Sequence, residues 1–308
     1  MTPLDFEKPV AEIEAKLAEL KAGMGPAPEI ARLEARVQRT RRELFSRLTP
    51  WQRTQVARHA QRPHFEDYVR LIATEFTPCA GDRVFGEDLA IVGGPARWRG
   101  QPVMLIGHEK GRDTAGRVTH NFGMARPEGY RKAARLIDLA SRMGLPVVTL
   151  VDTPGAFPGI EAEERGQAEA IARATQACLA AEVPVVAAIV GEGGSGGAVA
   201  VATANTVLMF ENAVYSVISP EGCASILWRT VDRAKEAAEA LKLTAPDLKA
   251  LGVIDTIVPE PIGGAHRDPD GAAAALGDAV ERALGRLRGK SGAELREMRR
   301  AKFMAMGA

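Results

Sequence analysis

Chemistry is first offered at Gly191–Ala200, which reads "GEGGSGGAVA". It contains Gly193-x-Ser195-x-Gly197, the spacing of a hydrolase elbow that seats a serine nucleophile on a sharp strand-to-helix turn. The same stretch is a run of backbone N–H groups with almost no Cβ atoms to shield them. That suits stabilisation of a developing oxyanion by main chain alone. Each reading needs partners. A serine triad needs a downstream histidine, and His266 with Asp255 supplies the allowed order Ser, Asp, His. An oxyanion site needs further donors. A second glycine-rich stretch, Asp152-Thr153-Pro154-Gly155-Ala156-Phe157-Pro158-Gly159, lies upstream. A nucleotide site is disfavoured, because neither stretch ends in the GK[ST] of a phosphate loop or fits GxGxxG at a first strand–helix turn. Arg165 is a candidate carboxylate clamp, with an ion pair to Glu161 at i−4 as its plain alternative. Lys110 and Arg112 read either as phosphate contacts or as a solvated hairpin end, and Glu192 receives no role.

The elements that must position these loops are readable from periodicity. "LPVVTLVD" and "VPVVAAIV" are short, continuously apolar strands, and each runs into one of the glycine stretches. "EAEERGQAEAIARATQACLAAE" predicts one helix of about six turns after the first stretch. An Ala/Val helix follows the second. "PEGYRKAARLIDLASRMG" predicts a helix with Pro127 at its start and Gly144 at its end. "LAIVGGPARWRGQPVMLIGHEKG" predicts a β-hairpin turning at Arg99-Gly100. "NTVLMF", "AVYSVI" and "VIDTIVPE" predict further strands. "SPEGCASILW", capped by Ser219, "VDRAKEAAEAL" and "TAPDLKALG" predict helices. Ala272 to Met306 reads as helical. Strand–loop–helix units of this kind define an α/β fold with a parallel sheet covered by helices. In such folds ligands sit beyond the C-terminal ends of the strands, so the two glycine stretches are expected to flank one crevice.

Residues 1–75 differ in style. Ile13, Leu17 and Leu20, then Ile30, Leu33, Val37 and Leu44, form two apolar stripes separated by Gly23, Gly25, Pro26 and Pro28. They predict an antiparallel helical hairpin that must pack on the rest of the chain or on another subunit. The domain expectation is a helical extension over 1–75 and the main unit over 76–308. The formal net charge of +1 gives no overall case for nucleic acid or membrane surface, and Arg39, Arg41, Arg42 and Arg47 read as a solvated helix face. Three cysteines, Cys79, Cys178 and Cys223, are too few and too widely spaced for a disulfide framework or a zinc site. The N-terminal segment lacks the apolar core of a signal peptide, and the longest apolar run is far too short to span a bilayer. A soluble, cytoplasmic protein is expected.

Longer motifs carry a resemblance. "VDTPGAFPGIEAEERGQAEAIA", "IVGEGGSGGA" and "YSVISPEGCASILW", in this order and spacing, resemble the alpha-subunit family of bacterial acetyl-coenzyme A carboxylase carboxyltransferases. "GHEKGRDT", "NFGMARPEGYRKA", "IVPEPIGGAHRDP" and "DFEKPVAEIEAKL" match as well, so the resemblance covers essentially the whole chain. It implies a crotonase-like fold of stacked ββα units, with an N-terminal helical extension and C-terminal helices. It implies transfer of a carboxyl group from carboxybiotin, held on a separate biotin carboxyl carrier protein, to acetyl-coenzyme A. The malonyl-coenzyme A formed would serve fatty acid synthesis. A beta subunit bearing a zinc ribbon would complete an α2β2 assembly, and a biotin carboxylase would recharge the carrier. No metal is expected on this chain. By resemblance Gly196 and Gly197 donate backbone N–H groups to the biotin oxyanion. Gly193, Gly194, Ala198, Gly155, Ala156 and Arg165 are the surrounding binding candidates. A biotin-dependent decarboxylase subunit and, further off, the serine hydrolase remain as alternatives.

Overall fold

The computed structural model describes residues 2–307. The chain opens with α1 (Lys8–Ala22) and α2 (Ala27–Phe45), an antiparallel pair that Lys21–Glu34, at 2.7 Å, and Arg41–Glu14 tie together. Its apolar stripes are half-buried, with Val10 and Val37 fully covered. A capping box at Thr49 starts α3 (Pro50–Ala57), and α4 (Phe65–Ile72) follows. Phe65 and Tyr68 of α4 lie inside the main core.

The strands are β1 (Ala73–Thr74), β2 (Ile91–Trp98), β3 (Gln101–His108), β4 (Val147–Thr153), β5 (Val185–Gly194), β6 (Thr206–Phe210), β7 (Val214–Ser216) and β8 (Thr256–Val258). One sheet runs β1-β2-β3-β4-β5-β6-β8, with β7 paired to β5 off this path. The β1–β2 and β2–β3 pairs are antiparallel and every later pair is parallel. The β2–β3 hairpin turns on Arg99 and Gly100, both at positive φ (46° and 82°), the conformation a two-residue primed turn requires. Every residue of β4 is buried, which is why Val147–Val151 form a near-continuous apolar run rather than an alternation, with the polar Asp152 and Thr153 only at its end.

Among the described residues ten further helices fill the connections and the segment after β8. They are α5 (Thr114–Thr119), α6 (Pro127–Met143), α7 (Ile160–Glu164), α8 (Gln167–Ala180), α9 (Ser195–Ala202), α10 (Pro220–Trp228), α11 (Ala234–Ala240), α12 (Ala245–Ala250), α13 (Pro269–Leu287) and α14 (Gly292–Met304). Pro127 and Gly144 bound α6 as the sequence predicts. Ser219 caps α10 by accepting from the Gly222 N–H.

Three expectations are corrected. The long helix after Gly159 is two helices, α7 and α8, because Gly166 takes a left-handed φ of 80° and redirects the chain. The C-terminal helix is also two, broken at 288–291 and restarted by a capping box on Ser291. The stretch Gly191–Gly194, read as a loop, is strand: β5 continues through it by pairing Glu192, Gly193 and Gly194 with Val214, Tyr215 and Ser216 of β7. At that point β5 has left β6, its partner up to Ile189.

Candidate active site

The two glycine stretches meet. Val151 pairs with Ile189 and Thr153 with Gly193, so β5 carries two extra residues between these pairs. The bulge presses the end of β5 against the loop after β4. A Cβ built on Gly194 would stand 2.1 Å from the Pro154 carbonyl oxygen. One built on Gly197 would stand 2.7 Å from the Tyr130 hydroxyl and 2.8 Å from the Ala156 nitrogen. Glycine at these two positions is therefore a condition of the approach. Gly155, at φ 151°, is held by Thr153, whose Oγ1 accepts from the Gly155 N–H at 3.1 Å and donates to its carbonyl at 2.7 Å.

Helix α9 begins at Ser195 with Gly194 as N-cap, and no side chain caps it. The first-turn N–H groups of Ser195, Gly196 and Gly197 thus have neither an intrahelical nor a side-chain acceptor, while the Ala198 N–H closes the first turn onto Gly194. A Cβ on Gly196 would meet only Ile171 side-chain atoms, at 3.5 and 3.7 Å, so that face is open. The structure brings Gly194 and Gly197 of one stretch against Gly155 and Ala156 of the other, while Gly193 pairs with Thr153, Gly196 faces Ile171 and Ala198 is buried in the helix behind them. Arg165 lies between α7 and α8. Its Nε donates to Glu128 at 2.7 Å, its Nη2 reaches the same carboxylate at 3.4 Å, and it stacks on Phe85. The expected pair with Glu161 is replaced by Glu128, because the α7–α8 break turns Arg165 toward α6.

The serine triad does not assemble. Ser195 sits at φ 56°, as an elbow serine would, but His266 is stacked on His59 at 3.9 Å. Asp255 accepts from the Val207 N–H and pairs with Lys302.

A charged network beside the loops escaped the sequence reading. The buried Asp152 carboxylate accepts from the Glu192 N–H at 2.9 Å and pairs with Lys110 at 2.7 Å and with His64 Nδ1 at 3.4 Å. Lys110 also reaches Glu192 at 3.4 Å, and Arg58 bridges Glu192 and Glu221 at 2.6 Å each. Lys110 is therefore no solvated hairpin end, whereas Arg112 is exposed and pairs with Asp67. Burial alone would raise the Asp152 pKa, but Lys110 and His64 outweigh it and hold the carboxyl well below the usual range. For Lys110 burial works downward, and the Asp152 and Glu192 carboxylates reverse it, so the ammonium is firmly charged. These partners are separated by tens of residues and leave no local spacing to recognise.

Known proteins agree with this architecture. Solved structures with the same fold include the transcarboxylase 12S hexamer core with methylmalonyl-coenzyme A bound, at TM-score 0.60 and 19% identity, covering 74% of this chain and 42% of that one. A Pseudomonas malonate decarboxylase hetero-tetramer in complex with coenzyme A matches at TM-score 0.57 and 18% identity, covering 70% of this chain and 86% of that one. The fold is thus that of the crotonase-like carboxyltransferases. Residues 3–307 match the family described as Acetyl co-enzyme A carboxylase carboxyltransferase-like. The acetyl-coenzyme A carboxylase carboxyl transferase subunit alpha of Rhizorhabdus wittichii is 63% identical over 309 residues, spanning 99% of both chains. The subunit alpha of a Methylobacterium species is 62% identical over 310 residues, spanning 99% of this chain and 98% of its own. The chain belongs to the acetyl-coenzyme A carboxylase carboxyltransferase alpha-subunit family, and it is a carboxyltransferase subunit of fatty acid synthesis.

Proposed function

We propose that the chain binds the biotin side of carboxyl transfer to acetyl-coenzyme A, with the Gly196 and Gly197 N–H groups as its oxyanion donors. One observation carries this reading: the first turn of α9 is uncapped, lacks Cβ atoms at both positions, and faces a second glycine loop. When bound, carboxybiotin on a separate carrier protein supplies the carboxyl group and is left with negative charge on its ureido oxygen. The chain's contribution is a set of fixed donors aimed at that charge. A key donor of this kind lowers the barrier by roughly 3–4 kcal/mol. The positive end of α9 adds to it. Gly193 and Gly194 set the path of the strand into the turn, and Ala198, Gly155 and Ala156 shape the surface around it. Arg165 commits Nε and Nη2 to Glu128 and keeps Nη1 for a substrate carboxylate. Ser195 serves as a small residue at a positive-φ position.

The acetyl group must lose a proton, which places a second negative charge on its carbonyl oxygen. We assign the donors for that charge, and the zinc ribbon, to a beta subunit within an α2β2 assembly. Residues 1–75 are the helical extension and 76–308 the carboxyltransferase unit, with α4 seated in the core of the latter. The carrier protein and a biotin carboxylase complete the set of partners, in the cytoplasm. The test is exchange of carboxyl between malonyl-coenzyme A and biocytin. The purified chain alone should be inactive and should gain exchange when a beta subunit is added. Exchange by the chain alone, or none from the reconstituted pair, contradicts the reading.

A further inference from the structure

Where the two glycine stretches begin, and short of Gly196 and Gly197, lies a cleft of about 180 Å³. Its working walls are Arg58, His64, Lys110, Arg117, Asp152 and Glu192, the last two opening the two stretches. The volume is below the roughly 300–1,000 Å³ typical of pockets that enclose larger organic ligands, so it suits a ligand of a few atoms.

The polar inventory narrows that ligand. Three cations and two carboxylates line the cleft, and a third carboxylate, Glu221 just outside it, shares Arg58 with Glu192. Arg58 and Lys110 are thus fully matched by Glu192, Glu221 and Asp152. Among the described residues no carboxylate pairs with Arg117, whose only hydrogen bond goes to the Ala60 carbonyl at 3.3 Å. An ammonium has three donors. Two of those on Lys110 are taken by Asp152 and Glu192, and the third is free for the cleft.

His64 supplies the decisive feature. It is 6% exposed, and its Nε2 has no hydrogen-bond partner. Its Nδ1 lies 3.4 Å from Asp152 Oδ2. An ionised carboxylate only accepts, so Nδ1 donates to Asp152, and in that tautomer Nε2 presents a lone pair. The cleft therefore offers one guanidinium without a carboxylate partner, free N–H donors, and one buried acceptor. A plain carboxylate would satisfy the cations and leave Nε2 unmatched, and burying an unmatched polar atom costs roughly 1–3 kcal/mol. A small monoanion that also carries an O–H matches all three.

We propose that this cleft is a bicarbonate site. The bicarbonate O–H donates to His64 Nε2, and its charged oxygens accept from Lys110 and Arg117. Dihydrogen phosphate shares the chemistry but is tetrahedral and larger. The site uses none of the Gly196 and Gly197 donors and does not depend on the oxyanion assignment. Asp152 connects the two, since the same carboxylate holds His64, Lys110 and the Glu192 N–H of the glycine strand.

The experiment titrates the ¹⁵N-histidine-labelled full chain at pH 8 with sodium bicarbonate, and in parallel with sodium phosphate, acetate and chloride. Assignment uses His64→Gln. Bicarbonate should shift the His64 Nε2 resonance saturably, with acetate and chloride far weaker. Arg117→Gln, a change at a partly exposed position, should weaken bicarbonate by about tenfold, the loss of one charge-assisted hydrogen bond. Carboxyl exchange with the beta subunit should stay unchanged in Arg117→Gln without added bicarbonate. An unmoved His64 signal, an equal response to acetate, or a response to phosphate but not bicarbonate overturns the assignment. An unweakened Arg117→Gln does the same. Because the titration needs no beta subunit and no turnover, its failure is distinct from failure of the carboxyltransferase reading.

Discussion

Replacing Gly197 by alanine adds a methyl group where the fold has no space for one. Its carbon would stand 2.7 Å from the Tyr130 hydroxyl, 2.8 Å from the Ala156 nitrogen and 2.9 Å from the Gly155 carbonyl carbon. Two of these three neighbours are backbone and cannot rotate away. The first turn of α9 and the loop at Gly155–Ala156 must therefore part. Overpacking of this kind costs about 1–3 kcal/mol, which a domain of this size tolerates. The catalytic cost is larger. Withdrawing one oxyanion donor lowers kcat by about 10²–10³-fold. Gly197→Ala should thus assemble with the beta subunit, as judged by light scattering, and lose about 10²–10³-fold in malonyl-coenzyme A:biocytin exchange. Gly196→Ala is the matched comparison, because its methyl group would meet only Ile171 at 3.5 Å. It should melt like the wild type, so any lost activity reports obstruction of the ligand face. Wild-type kcat from Gly197→Ala in an intact assembly would refute the reasoning.

Ser195→Ala should keep exchange activity within about threefold, whereas removal of a true nucleophile costs many orders of magnitude; covalent labelling of Ser195 by a serine-directed reagent would count against this. Glu260→Gln should destabilise by about 3–5 kcal/mol in urea melts, because it strands Arg62, whose partner lies 2.6 Å away with both side chains buried; a change below 1 kcal/mol would mean that the Arg62 bond to the Val190 carbonyl suffices. Burial, reinforced by the nearby His59, Arg62, Arg267 and Arg41, lowers the His266 pKa to about 3. The unfolded chain then binds a proton that the folded one refuses, so stability is complete above about pH 6.5 and falls progressively toward pH 3. His266→Gln should flatten that slope by up to about 1.4 kcal/mol per pH unit, and an unchanged slope in urea melts from pH 4 to 7 would assign it to other groups.

What could be read from the sequence was whatever has a local cause. The Arg99-Gly100 turn, the Pro127 and Gly144 boundaries of α6 and the apolar runs of β4 and β5 each rest on neighbouring residues. The errors came where distant residues decide. Gly191–Gly194 is strand because β7 comes alongside and Thr153 of β4 pairs with Gly193. The α7–α8 break was visible as Gly166 inside a helical pattern, but a lone glycine there is tolerated often enough to be passed over. The Asp152–Lys110–Glu192–Arg58 network joins residues from four separate segments, and its charges are ordinary in any one of them.

The bulge at the end of β5 has a consequence for parity. Side chains alternate along a strand with a period of two, so an even insertion moves the chain forward without exchanging its faces. Two extra residues advance the strand by about 6–7 Å. They do so while leaving every later residue in the phase it would have had. The glycine turn is thereby projected beyond the end of β4, out to where β7 can receive it, and Ile189 and Gly193 still answer to the same face. Length variation at this point should accordingly occur in pairs. Removing Gly191 and Glu192 together would retract the turn and keep its orientation, whereas removing either alone would present the wrong face of the strand.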